Sequence, residues 1–362
     1  GNKGAIGAIN NDGTGPSAGH VRIYELLGSS WSQIGQDIDG EADYDGSGIA
    51  VDLNGSGDKV IIGAYMNDGG GAESGHARIF EFNGTNWVKM GQDIDGENAN
   101  DRFGTSVSIN NAGDRVAIGA PFNDGNGTNS GHTQIYEWVG SSWLQIGQDI
   151  DGEAANDRSG VSISLNDLGN RIAIGATHND GNGTNSGHVS IYELIGGNWL
   201  KIGQDIDGES SNDLAGQVAL NDLGDYVALG AEYNDGNNTN NNDDRGHVRI
   251  FKESCDSYTT IDTTVCFGFS ATINGNLYNA ANPTGIDTFN LIGGCDSIVY
   301  INLTESQEVN DTIFQSICAG ETFIYDGTVY DSTNLSGTHS YINNLGCDST
   351  ITILINIQYT IN

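Results

Sequence analysis

The fold of this chain is decided by one stretch, residues 101–147, which reads DRFGTSVSINNAGDRVAIGAPFNDGNGTNSGHTQIYEWVGSSWLQIG. It contains four runs of strand-forming residues, at 103–110, 115–121, 132–138 and 142–147. The segments between them are rich in Gly, Asn and Asp, which is typical of antiparallel strands joined by turns. The stretch predicts a four-stranded sheet, with strands A to D in chain order. No convincing amphipathic helix pattern occurs in the sequence.

The same pattern recurs with a period of 56 residues. The string GQDIDGE occurs at 35–41, 91–97, 147–153 and 203–209. The residues that recur with it are Trp31, Trp87, Trp143 and Trp199, together with a Gly-His pair at His20, His76, His132, His188 and, after a longer loop, His247. A lone four-stranded sheet cannot bury both faces, whereas stacked copies can. Residues 1–252 are therefore predicted to be all-β, as a partial β-propeller of about five four-stranded antiparallel blades with the Trp packed between blades.

The first and last copies are shorter than the others. Residues 3–35 supply strands B, C and D, and residues 213–252 supply strands A, B and C. Simple closure of a ring fails on this chain, because the two missing strands are not interchangeable. The start at Gly1, in sequence that resembles the middle of a strand, predicts a processed or truncated chain.

Composition and motifs exclude several classes of function. Lys and Arg total 13 against 48 Asp and Glu, for a formal net charge of −35, which argues against a nucleic-acid partner. No apolar run approaches the roughly 18 residues of a membrane helix, so no membrane insertion is expected. No nucleophile elbow, zinc-protease motif or phosphate loop is present. Because similar carboxylates recur in every copy, they favour a scaffold, and the chain is predicted not to be an enzyme.

The acidic loop that follows strand D is the strongest chemical signal. Its carboxylates stand at relative positions 1, 3, 5 and 9, a spacing that calcium loops use. The candidate metal ligands are Asp37, Asp39, Glu41 and Asp45; Asp93, Asp95, Glu97 and Asp101; Asp149, Asp151, Glu153 and Asp157; and Asp205, Asp207, Glu209 and Asp213. The alternative is that these side chains cap turns and are solvated at the rim of the propeller. Calcium is the only cofactor that the sequence suggests.

Two further loop features recur in the copies. The Asn-Asp-Gly loops between strands B and C are the preferred binding face, because loops on a rigid scaffold build binding surfaces. Their candidate ligand-binding residues are Asn11, Asp12, Asn67, Asp68, Asn123, Asp124, Asn179, Asp180, Asn234 and Asp235, although Asn and Gly also suit turns for conformational reasons. The Gly-His histidines lie on different blades and cannot converge on one ion. They are expected to hydrogen-bond the loop between strands B and C.

The repeat resembles the FG-GAP repeat, the blade of integrin-α-type propellers. The resemblance rests on Phe103-Gly104 and Gly119-Ala120-Pro121, and the Gly-Ala part recurs in the other copies. It implies a seven-bladed propeller in the complete protein, outside the cell and used for binding or adhesion rather than catalysis. The amino-acid sequence of the copies is similar to that of repeats in secreted proteins of flavobacteria and other Bacteroidetes.

The family's calcium loop, a D-x-D/N-x-D-G string between strands A and B, is poorly kept here. The nearest match is Asp52-x-Asn54-x-Ser56-Gly57-Asp58. The corresponding positions elsewhere are Ser108, Asn110 and Ala112, or Ser164, Asn166 and Leu168, which lack the carboxylates that a hard cation needs. Plain tight turns are therefore expected at these places.

All five cysteines lie beyond residue 254, and four of them fall in two copies that stand 52 residues apart. Two β modules are predicted, at 253–306 and 307–362, and they resemble the GCDS-type spacer modules of secreted Bacteroidetes proteins. The matched spacing favours disulfides Cys266–Cys295 and Cys318–Cys347, with Cys255 left over, although spacing alone does not determine connectivity. Disulfides imply a secreted or cell-surface location.

These features together predict a non-catalytic extracellular binding or adhesion scaffold, with a protein or carbohydrate ligand at the cell surface. One alternative is a structural stalk or matrix component without a specific ligand. The other is an accessory region of a larger secreted enzyme.

Overall fold

The computed structural model describes residues 1–236, 245–252, 257–266, 268–290, 296–306, 310–342 and 347–358. Every regular element in these ranges is a β-strand, which confirms the predicted all-β class. No helix in the described ranges is long and apolar enough to cross a membrane. The chain divides into two compact units, Gly1–Glu253 and Ser254–Asn362.

The first unit is a series of antiparallel sheets, each of which is one blade, and successive strands pair except that the short last strand of blades 1 to 3 pairs with the strand two before it. Blade 1 contains β1 (Lys3–Ala8), β2 (His20–Leu27), β3 (Ser30–Gln33) and β4 (Ile38–Asp39). Blade 2 contains β5 (Ser47–Leu53), β6 (Lys59–Ala64), β7 (His76–Phe82), β8 (Trp87–Lys89) and β9 (Ile94–Asp95). Blade 3 contains β10 (Ser106–Ile109), β11 (Arg115–Ala120), β12 (His132–Trp138), β13 (Trp143–Gln145) and β14 (Ile150–Asp151). Blade 4 contains β15 (Ser159–Leu165), β16 (Arg171–Ala176), β17 (His188–Ile195) and β18 (Asn198–Asp207), and blade 5 contains β19 (Ala215–Leu220), β20 (Tyr226–Ala231) and β21 (His247–Lys252).

In blades 1 to 3, strand D continues beyond its predicted end as a second short piece, within the segment expected to be the acidic loop. In blade 3 both β13 and β14 pair with β12, and the glycine between them, Gly147, has a φ of 73°. A left-handed φ interrupts the regular pleat, and glycine adopts it without steric cost. The second piece places Asp151 directly opposite His132. The acidic loop is thereby held against the start of strand C.

Tryptophan seals blades 2, 3 and 4 against the preceding blade, as predicted for Trp87, Trp143 and Trp199. Trp199 is 1% exposed, and its Nε1 donates to the carbonyl oxygen of Ile146 in blade 3 at 2.9 Å. Gln148 adds a two-point contact, since its Nε2 donates to Trp199 O at 2.7 Å and its Oε1 accepts from Trp199 N at 3.1 Å. Trp31, in the first blade, is 56% exposed instead.

Glycine allows neighbouring blades to approach at the backbone. A Cβ on Gly119 of β11 would lie 2.1 Å from the carbonyl oxygen of Gly160 in blade 4. The same contact recurs at the other blade boundaries, between Gly7 and Gly48, Gly63 and Gly104, and Gly175 and Gly216. The glycines of the Phe-Gly and Gly-Ala-Pro signature are therefore packing residues, because any side chain at Gly119 would push two blades apart.

The second unit contains two copies of one topology. In the first copy, β22 (Ser257–Cys266) pairs parallel with β26 (Asp296–Ser306), which also pairs antiparallel with β25 (Thr284–Asn290), and β23 (Ser270–Ile273) forms a hairpin with β24 (Asn276–Asn279). In the second copy, β27 (Asn310–Cys318), β31 (Asp348–Gln358) and β30 (Ser336–Ile342) pair in the same way, with the hairpin formed by β28 (Phe323–Tyr325) and β29 (Thr328–Tyr330).

The disulfide joins the two copies instead of closing each one. Cys266 is bonded to Cys347, and Cys318 is a free, exposed thiol, so the predicted pairings Cys266–Cys295 and Cys318–Cys347 are wrong. The parallel pairing puts Cys318 opposite Gln358, at the far end of β31 from Cys347. Cys266 lies opposite Ser306, where the first copy ends, and the Ser306 hydroxyl lies 3.9 Å from the Cys347 sulfur. Cys255 and Cys295 lie outside the described residues.

Candidate functional site

The Asn-Asp-Gly loops are closed by their own side chains. In blade 3, Asn123 Oδ1 accepts from Gly125 N at 2.7 Å, and Asp124 Oδ1 accepts from Asn129 N at 2.8 Å. The corresponding Asn contact recurs at Asn11, Asn67, Asn179 and Asn234, and the Asp contact at Asp12, Asp68 and Asp180.

The asparagines and the aspartates of these loops differ in burial. Asn67, Asn123, Asn179 and Asn234 are buried, whereas Asp12, Asp68, Asp124 and Asp180 are exposed. The asparagines therefore shape the loops, and contact with a ligand falls to the exposed aspartates and the loop backbone.

The fourth carboxylate of each acidic loop is buried and has internal partners. Asp157 accepts from Ala154 N at 2.9 Å and from Asn179 Nδ2 at 3.0 Å, which ties the acidic loop to the next Asn-Asp-Gly loop. The corresponding residues Asp45, Asp101 and Asp213 are buried as well. No cluster of potential ligands in the described residues contains all four carboxylates of one loop. The expected calcium set of positions 1, 3, 5 and 9 is therefore not assembled, because the chain turns from one blade to the next within it.

The structure brings the acidic loops together with the Gly-His histidines, which the sequence did not predict. The three groups whose ligand atoms all lie within 4.8 Å of one another are His20, Asp37 and Asp39; Glu97, His132 and Asp149; and Glu153, His188 and Asp205. In the second and third groups the glutamate comes from the preceding repeat, so each group spans a blade boundary. We call the space between a Gly-His histidine and whichever it has of a glutamate from the preceding repeat and the aspartates that follow it a cup, numbered by the blade of its histidine.

Basic side chains close most of these cups. The contacts are Arg22 with Asp37 at 2.7 Å, Arg78 with Glu41 at 3.1 Å, Lys89 with Asp93 at 2.9 Å, Lys201 with Glu153 at 2.8 Å and with Asp205 at 2.7 Å, and Arg249 with Glu209 at 3.5 Å. The hydrogen-bonded Arg22 guanidinium lowers the pKa of Asp37 to about 2. The carboxylates of these cups are thus balanced by groups of the protein itself.

Cup 3 has neutral amides where the other cups have basic groups. Gln134 Nε2 donates to Glu97 Oε1 and to Asp149 Oδ1, each at 3.0 Å, and Gln145 Nε2 donates to Asp149 Oδ1 at 2.6 Å. The cup opens into a cavity of about 490 Å³, and no lysine or arginine is among its lining residues in the described chain.

Electrostatics in cup 3 reflect this uncompensated charge. Burial raises the pKa of Asp151, and the carboxylates of Asp149 and Glu97 raise it further, against the opposite effect of His132. Burial and the same two carboxylates also raise the pKa of the Tyr136 phenol. Cup 3 therefore concentrates negative charge in a partly desolvated space.

The expected hydrogen bonds from the Gly-His histidines to the B–C loops are not formed in the described residues. His20 lies 3.8 Å from Asp37 and 3.9 Å from Asp39, and His76 lies 3.8 Å from Asp95. The histidines face the acidic loops instead, because the second piece of strand D pairs with the start of strand C. The residues that sequence reasoning missed are His132 and Gln134. Their signal was the change from Arg to Gln two positions after the Gly-His histidine.

The turns between strands A and B are closed by an asparagine side chain. Asn54 Oδ1 accepts from Asp58 N at 3.0 Å and from Lys59 N at 2.9 Å, and its Nδ2 donates to Asp58 Oδ1 at 2.8 Å. The corresponding Asn110 makes the same contacts with Asp114 and Arg115. In both turns the asparagine amide supplies the contacts that shape the turn.

Comparison with known proteins gives one family match. The model of the FG-GAP repeat matches residues 95–136, a range that runs from the end of blade 2 through β12 of blade 3. No curated protein matches this chain in sequence.

Solved structures with a similar fold share 11% sequence identity with this chain. They are putative 6-phosphogluconolactonases from Bacteroides uniformis (TM-score 0.42, covering 64% of this chain and 60% of that one) and Bacteroides fragilis (0.43, 66% and 61%), and the β-propeller domain of the Trilobed protease from Pyrococcus furiosus (0.40, 70% and 66%). This chain spans less than two thirds of each of them, and these likenesses carry no argument about its activity. Residues 95–136 thus match the FG-GAP repeat, and the blades around them share its four-stranded pattern.

Proposed function

We propose that this protein is a non-catalytic binding scaffold of the cell exterior, which holds a protein or carbohydrate ligand on the loop edge of its blades. The loop edge consists of the Asn-Asp-Gly loops and the acidic loops that follow strand D. The observation that carries the proposal is that these loops are held by internal hydrogen bonds, from which we infer rigidity, yet present exposed carboxylates at regular intervals. Preorganised loops reduce the entropic cost of binding.

The contacts between the two kinds of loop support this rigidity. Asn126 Nδ2 donates to the carbonyl oxygens of Gly152 at 2.8 Å and Glu153 at 3.0 Å, so the Asn-Asp-Gly loop of blade 3 is fastened to the acidic loop that follows. Asn182 repeats the contact in blade 4 with Gly208 and Glu209. Repeated exposed carboxylates beside amides suit a partner with hydroxyl or basic groups.

The absence of catalysis and the exterior location belong to the same proposal. Most carboxylates of the acidic loops are engaged by backbone amides or basic groups, which leaves them poorly suited to proton transfer. The Cys266–Cys347 disulfide supports an oxidising compartment. The stalk without a ligand and the accessory region of a larger secreted enzyme are the competing functions.

The test is binding of the full chain to glycan arrays and to cells, with two charge-matched variants. The first changes Asp12, Asp68, Asp124 and Asp180 to Asn, which keeps the acceptor that closes each loop and removes its charge. The control changes Glu25, Glu81, Glu137 and Glu193, near the far end of strand C, to Gln.

The proposal is supported if the affinity for a ligand falls at least tenfold in the loop variant and is kept in the control. Equal loss in both variants indicates a mere effect of net charge and contradicts it. No binding by the unchanged chain favours the stalk.

A further inference from the structure

Cup 3 differs from its counterparts in a way that points to a ligand. Two positions after its Gly-His histidine, cup 3 has Gln134, whereas cups 1, 2 and 5 have Arg22, Arg78 and Arg249 there. Cup 4 has Ser190 there, but Lys201 bridges its two carboxylates. Among the cups of the described residues, cup 3 alone has two facing carboxylates without a basic side chain of this protein between them.

The histidine of cup 3 provides a second, independent observation. His132 is 2% exposed, and no side-chain hydrogen bond of this histidine is found in the described residues. Its ring nitrogens are not among the fully buried atoms without a partner, in contrast to Nε2 of His76 and of His247. Its ligand atom lies within 4.8 Å of those of Glu97 and Asp149, and the ring lines the same cavity. The imidazole and the two carboxylates therefore border one open space.

The donor set defines the class of ligand. We propose that cup 3 binds one divalent transition cation, of the Zn²⁺ or Mn²⁺ class, through His132, Glu97 and Asp149. One imidazole with two carboxylates suits such cations better than Ca²⁺, which takes oxygen ligands. Asp151, opposite His132 across the strand pair, is a further carboxylate within reach of the cup.

The surroundings of these residues are those of a metal site. Gln134 donates to Glu97 Oε1 and to Asp149 Oδ1, and Gln145 donates to the same Asp149 oxygen, which orients both carboxylates and leaves the other oxygen of each for a cation. Glu97 comes from the loop that leaves blade 2, whereas His132 and Asp149 belong to blade 3. The bound cation would therefore clamp two blades together, a role that goes beyond the proposed binding of a protein or carbohydrate.

The experiment titrates the metal-free full chain, in a Cys318→Ser background because that thiol is exposed, with Mn²⁺ followed by electron paramagnetic resonance and with Zn²⁺ followed by calorimetry. One equivalent is expected to bind and to raise the melting temperature. Gln134→Arg, which installs the residue of the closed cups, is expected to weaken binding at least tenfold. Ser190→Arg, the matched change in cup 4, is expected to leave affinity unchanged.

His132→Gln provides a second variant should Gln134→Arg fail to fold, and it too is expected to weaken Mn²⁺ and Zn²⁺ binding at least tenfold. Circular dichroism checks the fold of each variant. The proposal is overturned if no tight equivalent binds, if both variants keep the affinity of the unchanged chain, or if Ca²⁺ binds as tightly as Mn²⁺ and is insensitive to His132→Gln.

Discussion

At the scale of single residues, the distance between blades is determined by glycine. A Cβ on Gly7 of β1 would lie 2.0 Å from the carbonyl oxygen of Gly48, in the next blade. Gly4 of the same strand has room, since its nearest neighbour would be Trp31 at 3.9 Å. The two glycines share a strand, so they separate the effect of close packing from that of strand propensity.

We expect Gly7→Ala to lower the free energy of unfolding by about 1–3 kcal/mol, because neither backbone can yield without separating the blades. Gly4→Ala is the control and is expected to change it by less than about 0.5 kcal/mol. Thermal unfolding of the full chain, followed by circular dichroism, measures both. Equal effects of the two substitutions would contradict the packing argument.

Asp52 is a charged residue at a position where neighbouring repeats have serine. Its Oδ2 accepts from Ile109 N at 2.9 Å across the blade boundary, just as Ser108 Oγ accepts from Leu165 N at 3.1 Å. Burial raises the pKa of Asp52, against the opposing effect of its hydrogen bonds. The ionised form is thus less favourable in the folded state than in the unfolded chain.

The sign of the pH dependence of stability follows from the raised pKa of Asp52. A carboxyl whose folded pKa is raised stabilises the fold at low pH, and this contribution is lost as pH rises through the folded pKa. We expect Asp52→Ser to stabilise the protein at pH 7, with a gain that shrinks as pH falls below the raised pKa. Melting temperatures between pH 4 and 8 test it, and a difference that does not vary with pH would refute it.

At the scale of elements, each blade depends on the next through tryptophan and glutamine. Trp143 donates from Nε1 to Met90 O at 3.0 Å, and Gln92 Nε2 donates to Trp143 O at 2.8 Å. Together these contacts join the outer strand of one blade to the loop that leaves the previous one. Since the partner lies in the preceding repeat, a blade is not a stable unit alone.

Trp199→Ala is expected to cost about 3–5 kcal/mol, because it leaves a cavity between blades 3 and 4 and removes the hydrogen bond to Ile146. Trp31→Ala changes the same residue type at an exposed position and is expected to cost less than about 1 kcal/mol. Thermal unfolding compares the two. A cost at Trp31 as large as that at Trp199 would rule out the interblade seal.

At the scale of the whole molecule, the disulfide links the two copies of the second unit. It spans a sequence separation of 81 residues. Closing such a loop is worth about 4 kcal/mol in the chain-entropy model. Among the described residues of the second unit, few apolar side chains are fully buried, and these include Tyr278, Ile301 and Ile353. Small β modules of this kind depend on cross-links for stability.

Peptide mapping of the unreduced protein should find Cys266 joined to Cys347, and alkylation without reduction should label Cys318. Cys266→Ser is expected to lower the melting temperature, whereas Cys318→Ser is the control and should leave it unchanged. Recovery of a Cys318–Cys347 peptide would show that the second copy closes on itself and would contradict the structure.

Sequence alone predicted the blades well and the functional geometry poorly. The recurrence of Trp199 and its counterparts predicted the interblade seal, because a repeated large apolar residue needs a repeated cavity. His132 was assigned to its own loop, since the break at Gly147 that brings Asp151 beside it has no clear signature in a run of strand formers. The disulfide was missed because equal spacing of cysteines says nothing about which strand ends meet.

The amino-acid sequence by itself thus determined the features that repeat. These are the sheet type, the blade period and the contacts that each copy makes with its neighbour, and they follow from the alternation of apolar and polar residues and from local turns. Folding in three dimensions settled the contacts between segments far apart in the chain, namely Glu97 with His132 and Cys266 with Cys347. Those depend on strand direction and register, and the 56-residue period leaves both unspecified.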